Sequence, residues 1–186
     1  MKKNHALNSP HYKLKQKRKY WNFFYSAAFM VGIVLIIFEI FIFRVTIIPY
    51  YIPLGLIIVI GFLGYLITST HLDYVEPGGN IFLKLIYGCC SWGFIACYLF
   101  MATNYYLAEN ESTPLTYPII EKDSITGSKG SRDKRLPVVR IYYKGSMKEL
   151  VFTYADTDKI SRAKSVYLHL KKGALGFDVI SEYDAF

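Results

Sequence analysis

The chain has 186 residues, 53% of them hydrophobic, and carries 22 Lys or Arg against 14 Asp or Glu, a formal net charge of +8. That length suits one soluble domain or a few membrane spans with a small domain attached, and a hydrophobic share above the soluble norm favours the second. The basicity belongs to one tail, because residues 1–19 hold seven bases and no acid while the remainder is nearly balanced, and this excludes a nucleic-acid-binding face as its cause.

Residues 1–19, MKKNHALNSPHYKLKQKRK, lack apolar periodicity and read as a disordered basic arm on the cytoplasmic side. Each Lys or Arg near an anionic leaflet is worth about 1 kcal/mol, so the arm is expected to touch anionic lipid headgroups. Residues 23–43 are then apolar for about twenty residues, broken by one acid, Glu39, and the first span is read over 20–43, long enough at 1.5 Å per residue to cross a hydrocarbon core of roughly 30 Å. The run is too long for the apolar part of a signal peptide, and no small-x-small site follows it, so it reads as a retained span. A short link, VTIIPYY, leads to a second span over 52–70, with Pro53 in the first turn, where a missing N–H costs nothing. After a polar segment with Pro77-Gly78-Gly79 and a candidate N-cap at Asn80, a third span covers 81–107. Tyr20, Trp21, Tyr50, Tyr51, Tyr74, Tyr105 and Tyr106 fall at the span ends, as an aromatic belt requires.

The transmembrane region therefore occupies 20–108. Seven bases before the first span, against Arg44 alone in the first link, put the N-terminus in the cytoplasm. Lys84 can snorkel to that same side. Three spans then carry residues 109–186 to the extracytoplasmic face of the cytoplasmic (inner or plasma) membrane. There Asn110-Glu111-Ser112 matches a glycosylation acceptor.

Residues 109–186 read as a small β domain. Strands are expected over 115–122, 136–143, 147–154, 165–170 and 177–181, with a short helix over 155–163 capped by Asp156 or Thr157. Pro118 restricts the first strand to an edge or a bulge, and Lys144-Gly145-Ser146 signals a hairpin. The order βββαββ predicts an α-helical membrane protein with three transmembrane helices and a C-terminal antiparallel barrel or sandwich.

Glu39 is the one acid within a span, and intramembrane carboxylates often mark ion or proton paths. It lies about a turn from the outer end, within reach of Arg44, and pairing is the preferred reading; Ser91, Thr103 and Asn104 are the other polar groups the later spans offer. Cys89, Gly93 and Cys97 recur at four-residue spacing and Gly61 and Gly64 line the second span, a small-residue pattern for helix packing rather than a metal site. The loop at 123–135 contributes Lys129, Arg132, Lys134 and Arg135, and with the outward residues Tyr142, Tyr167 and His169 it forms the candidate partner-binding surface. The two S-x-x-K matches lack their companion motifs, Asp156-x-Asp158 lacks the rest of a calcium loop, and the four histidines are scattered. No catalytic, metal or cofactor set emerges, so the chain is expected to be a non-enzymatic accessory or regulatory subunit, an assembly factor or an immunity-type protein. It would act on a membrane-protein partner or as a homo-oligomer. A channel or transporter subunit using Glu39 is the alternative.

Overall fold

The computed structural model describes residues 10–75, 78–126 and 135–186. It divides into two compact units, 1–41 with 50–102, and 42–49 with 103–186. Among the described residues three helical stretches are long and apolar enough to cross a membrane, Leu14–Val45, Tyr51–Asp73 and Ile81–Tyr106.

Helix α1 runs from Pro10 to Val45, so residues 10–19, expected to be disordered, instead continue the span as helix. The reason is cooperative. A long apolar helix supplies the nucleus, and propagation into Lys, Arg, Gln and Leu is favourable once nucleation is done. Pro10 fits the first turn, where its fixed φ is already helical. Helix α2 spans Tyr51–Val75. Helix α3 spans Ile81–Gly88, capped by the Asn80 side chain, which accepts from Phe82 N at 3.0 Å. A π-turn, Cys89–Gly93, joins it to helix α4, Phe94–Tyr106; the Phe94 N–H donates to Cys89 O, five residues back.

The π-turn lies where backbones come closest. A Cβ on Gly32 would stand 2.0 Å from Cys90 O, one on Gly61 2.6 Å from Cys89 Cα, and one on Gly93 2.5 Å from Ile57 O. Gly64 gives way in the same manner to the Trp92 side chain. Helices in a bilayer would gain no hydrophobic drive toward one another, and contact of this closeness is what would hold them there. Lys84, buried except for 14% of its side chain, pairs with Asp73 and ties the start of α3 to the end of α2.

The second unit contains six strands. The single strand expected over 115–122 is two, β1 (Ser112–Pro118) and β2 (Glu121–Thr126). Pro118 closes the first because it has no N–H to donate, and Ile119 and Ile120 then carry the chain from one sheet to the other, donating to Lys164 O and Arg140 O at 3.0 Å each. Strands β3 (Arg135–Tyr143) and β4 (Ser146–Val151) meet at Lys144-Gly145, both at positive φ (44° and 85°), the backbone of a primed hairpin turn. A 3₁₀ turn, Tyr154–Asp156, leads into α5 (Thr157–Arg162). Thr153 caps the 3₁₀ turn, exchanging bonds with Asp156 in a capping box, while Asp156 stands at the expected N-cap of α5 without a side-chain bond to that helix. Strands β5 (Ser165–Lys172) and β6 (Asp178–Ala185) complete the unit.

All pairings are antiparallel, in two three-stranded sheets ordered β1-β5-β6 and β2-β3-β4. No closed barrel forms, which corrects that half of the expectation. Both sheets contribute to one core: Val139, Ile141 and Leu150 from one, Val166, Leu168 and Leu170 from the other, with Ile160 of α5 and Ile47 of the link added.

Gly32→Ala forces a methyl against a backbone carbonyl that cannot swing aside, and overpacking of this kind costs about 2 kcal/mol. Gly55 has nothing within 4 Å of its would-be Cβ, so Gly55→Ala is expected to leave stability unchanged or slightly raised. Thermal melting of the detergent-solubilised chain checks the pair, and equal behaviour of the two variants contradicts the close-contact account.

Candidate functional site

Glu39 is 6% exposed, enclosed within the first unit. Its carboxyl neighbours the thiol of Cys97, a fully buried residue whose Sγ donates to Pro53 O at 3.7 Å. Among the described residues Glu39 makes no ion pair, with Arg44 or any other base. Ser91 Oγ donates to Tyr87 O at 2.5 Å, and Asn104 belongs to the second unit. Carboxyl, thiol and carbonyl thus lie close together, the thiol bonded to the carbonyl.

The small residues behave individually. Gly61, Gly64, Cys89 and Gly93 stand at the contacts between α2 and the π-turn region described above, whereas Cys97, one turn further, faces Glu39 and Pro53. The π-turn breaks strict four-residue spacing, which periodicity alone does not reveal.

Lys129, Arg132 and Lys134 lie outside the described residues. Arg135 opens β3 and its guanidinium reaches Ser124 Oγ at 3.5 Å. Tyr142 is 55% exposed on the outer face of the β2-β3-β4 sheet, paired across the strands with exposed Met147. On the same face Arg140 gathers Glu121 and Glu149 at 2.7 Å each and Asp123 at 3.6 Å; the first two carboxylates hold its guanidinium even further above its ordinary pKa. Tyr167 and His169 project from β5 in the other sheet, their rings edge to face at 4.9 Å. Ser112 Oγ stands 3.4 Å from His169 Nδ1 at an exposed position. The proposed contact residues are therefore divided between two sheets and form two surfaces.

Two groups organise the second unit: Lys148, which sequence reasoning passed over, and Asn104, which it named only as a possible polar partner for Glu39. Lys148, on β4, points inward and donates to Phe43 O at 3.0 Å and Thr46 O at 2.7 Å, with its ammonium 5.4 Å from the Phe43 ring centre. Burial pushes its pKa down to about 8. Asn104, fully buried, donates to Phe177 O at 2.9 Å and accepts from Leu175 N at 3.0 Å. A Cβ on Gly173 would collide with it at 2.4 Å. The one available signal was Lys148 at an inward register position of an alternating strand.

Beside these lies a cavity of about 160 Å³ formed by the link, the β3–β4 turn and the start of β6. Tyr143 Oη and Lys144 Nζ both donate to Asp178 Oδ2, at 2.7 and 2.8 Å. Burial, then the Asp178 carboxylate, raises the Tyr143 pKa, while Asp178 raises that of Lys144. Among the described residues no group of three His, Cys, Asp or Glu side chains is placed to hold a metal ion.

No family model matches the chain, and no curated protein or solved structure matches it.

The Lys148 ammonium is disfavoured by burial, so the folded state releases its proton near pH 8 while the unfolded chain holds it to about pH 10.5. Between those values the unfolded state binds more protons, and stability from this group rises with pH. The difference in melting temperature between wild type and Lys148→Met is expected to move in favour of wild type from pH 8 to 9.5. A pH-independent difference contradicts the assignment.

Proposed function

We propose that this chain is a non-enzymatic membrane protein that displays a small, sandwich-like β module to a partner at the bilayer surface. In this reading residues 20–108 form the anchor, 109–186 the module, and the basic N-terminal arm stays in the cytoplasm with the module on the extracytoplasmic side. The observation that carries the reading is the pairing of three span-length apolar helices with a separately compact β unit that has its own core. The role is that of an accessory or regulatory subunit, an assembly factor or an immunity-type protector, acting on a membrane protein or on a second copy of itself. The face bearing Tyr142, Met147 and the Arg140 cluster supports it, since aromatic residues, Met and Arg are the types enriched at interface cores. A channel role for Glu39 is less supported, because the carboxyl is enclosed and its neighbour is a thiol.

A photo-crosslinking residue at Tyr142 is expected to give a discrete adduct in native membranes, while one at exposed Leu175 gives none or a weaker one; indistinguishable smears at both positions count against a dedicated surface. Sidedness is checked with Met147→Cys and Lys17→Cys in a chain whose native cysteines are changed to Ala. An impermeant maleimide applied to intact cells is expected to label Met147→Cys and spare Lys17→Cys, and the reverse pattern overturns the orientation. Reconstituted Glu39→Gln is expected to match wild type in ion flux, both at the level of protein-free vesicles, and a Glu39-dependent flux would restore the channel alternative.

A further inference from the structure

The cavity beside Asp178 is built from the second unit alone, and its chemistry is specific. Its charged groups are one acid, Asp178, and one base, Lys144, with the Ser146 and Tyr143 hydroxyls beside them and Ile47, Pro49 and Phe177 as apolar wall. Both protein donors to the carboxylate fall on Oδ2, which leaves Oδ1 without a protein donor among the described residues. The Asp178 side chain as a whole is 16% exposed, and Oδ1 faces the open side where a ligand can reach it. The Lys144 side chain is 70% exposed and spends one of its three protons on Asp178. It is presented by a turn that holds it at φ 44°, in the left-handed region that non-glycine residues avoid.

We propose that this cavity binds a primary ammonium joined to a phosphate, the group carried by a phosphoethanolamine lipid headgroup or by free phosphoethanolamine. The ammonium donates to Asp178 Oδ1, and the phosphate accepts from Lys144 and the Ser146 hydroxyl. Charge selects the ligand: a bare anion meets the Asp178 carboxylate, and a quaternary ammonium has no N–H to give Oδ1. Size agrees, since about 160 Å³ is well below the cavities that take drug-sized molecules and leaves room for a headgroup but not an acyl chain.

The lipid source rests on the membrane reading above. Ile47 and Pro49 belong to the five-residue stretch between Val45, which ends α1, and Tyr51, which starts α2. At no more than about 3.5 Å per residue, no link residue stands further than about 10 Å from the end of a span. The wall of the cavity is therefore tethered to the headgroup layer.

The test uses the full chain in nanodiscs of equal phosphatidylethanolamine and phosphatidylcholine, with bound lipid counted by native mass spectrometry. A parallel arm titrates phosphoethanolamine calorimetrically into lipid-stripped protein in detergent. Wild type is expected to prefer the ethanolamine lipid about tenfold, the scale of one charge-assisted hydrogen bond gained or lost. Lys144→Gln and Asp178→Asn are each expected to abolish the preference. Lys144→Gln alters an exposed side chain, so its melting temperature is expected to match wild type even if Asp178→Asn, which strips the Tyr143 hydroxyl of its acceptor, proves unstable. Binding of soluble phosphoethanolamine without lipid preference, lost in Lys144→Gln, supports the same cavity chemistry with a free ligand as the source. No preference and no calorimetric binding, or either one unchanged in Lys144→Gln, overturns the proposal. Failure of the chain to enter nanodiscs at all sinks the membrane reading and leaves the calorimetric arm to stand by itself.

Discussion

The last carbonyls of an α-helix have no partner within the helix, and where they are buried something must donate to them. At the end of α1 that donor is Lys148, which arrives on β4 more than a hundred residues later and bonds Phe43 O and Thr46 O. Thr46 closes the turn from within, its hydroxyl bonding Ile42 O at 2.9 Å, and its backbone bridges to Val179. Ile47 N then donates to Asp178 O at 2.8 Å. The result is that residues 42–49, which look like a simple connector, behave as part of the β unit. Near the end of α4 the Ala174 N–H meets the same need by donating to Asn104 O at 3.3 Å, and the Asn104 side chain in turn serves the backbone of the 173–177 loop.

Backbone accounting of the same kind explains the helical unit. In lipid the regular helix satisfies its own N–H and C=O groups, so side-chain volume and backbone approach decide which helices meet and where. Gly61, Gly64 and Gly93 remove side chains at the points of nearest approach, and the π-turn widens the helix there, its closing Phe94 N–H bonded to Cys89 O. Glu39 is tolerated for a related reason. A carboxyl enclosed among apolar groups needs a polar neighbour or access to water, and the Cys97 thiol stands beside it.

These mechanisms also separate what was legible in the residues from what was not. Spans read clearly because twenty consecutive apolar residues have few physical alternatives, and the alternation of Val166, Leu168 and Leu170 fixed their inward register without ambiguity. Local chemistry announced the Asn80 cap and the Lys144-Gly145 turn. Boundaries that depend on distant partners stayed hidden. Pro118 signalled a defect in a strand, yet only the positions of Lys164 O and Arg140 O show that the chain changes sheet there. The helical state of residues 10–19 was missed because composition was weighed without the long helix that follows and nucleates it. The inward lysine at 148 breaks the apolar pattern of its strand, but nothing near it in sequence names Phe43 as its partner.

Asp178 brings these strands of the argument to one residue. Its backbone carbonyl holds the link through Ile47, while its carboxylate takes Tyr143 and Lys144 through a single oxygen. Tyr143, whose ring belongs to the core and whose hydroxyl does not, explains Oδ2. The exposed lysine is not required by the core, and it is held at a left-handed position where Gly or Asn is the usual choice. Packing accounts for Asp178 and Tyr143, then, and it does not account for Lys144. That remainder is what makes the cavity more than a seam between the link and the sheet: an ammonium placed beside a half-satisfied carboxylate is an arrangement that a ligand of opposite polarity at each end completes.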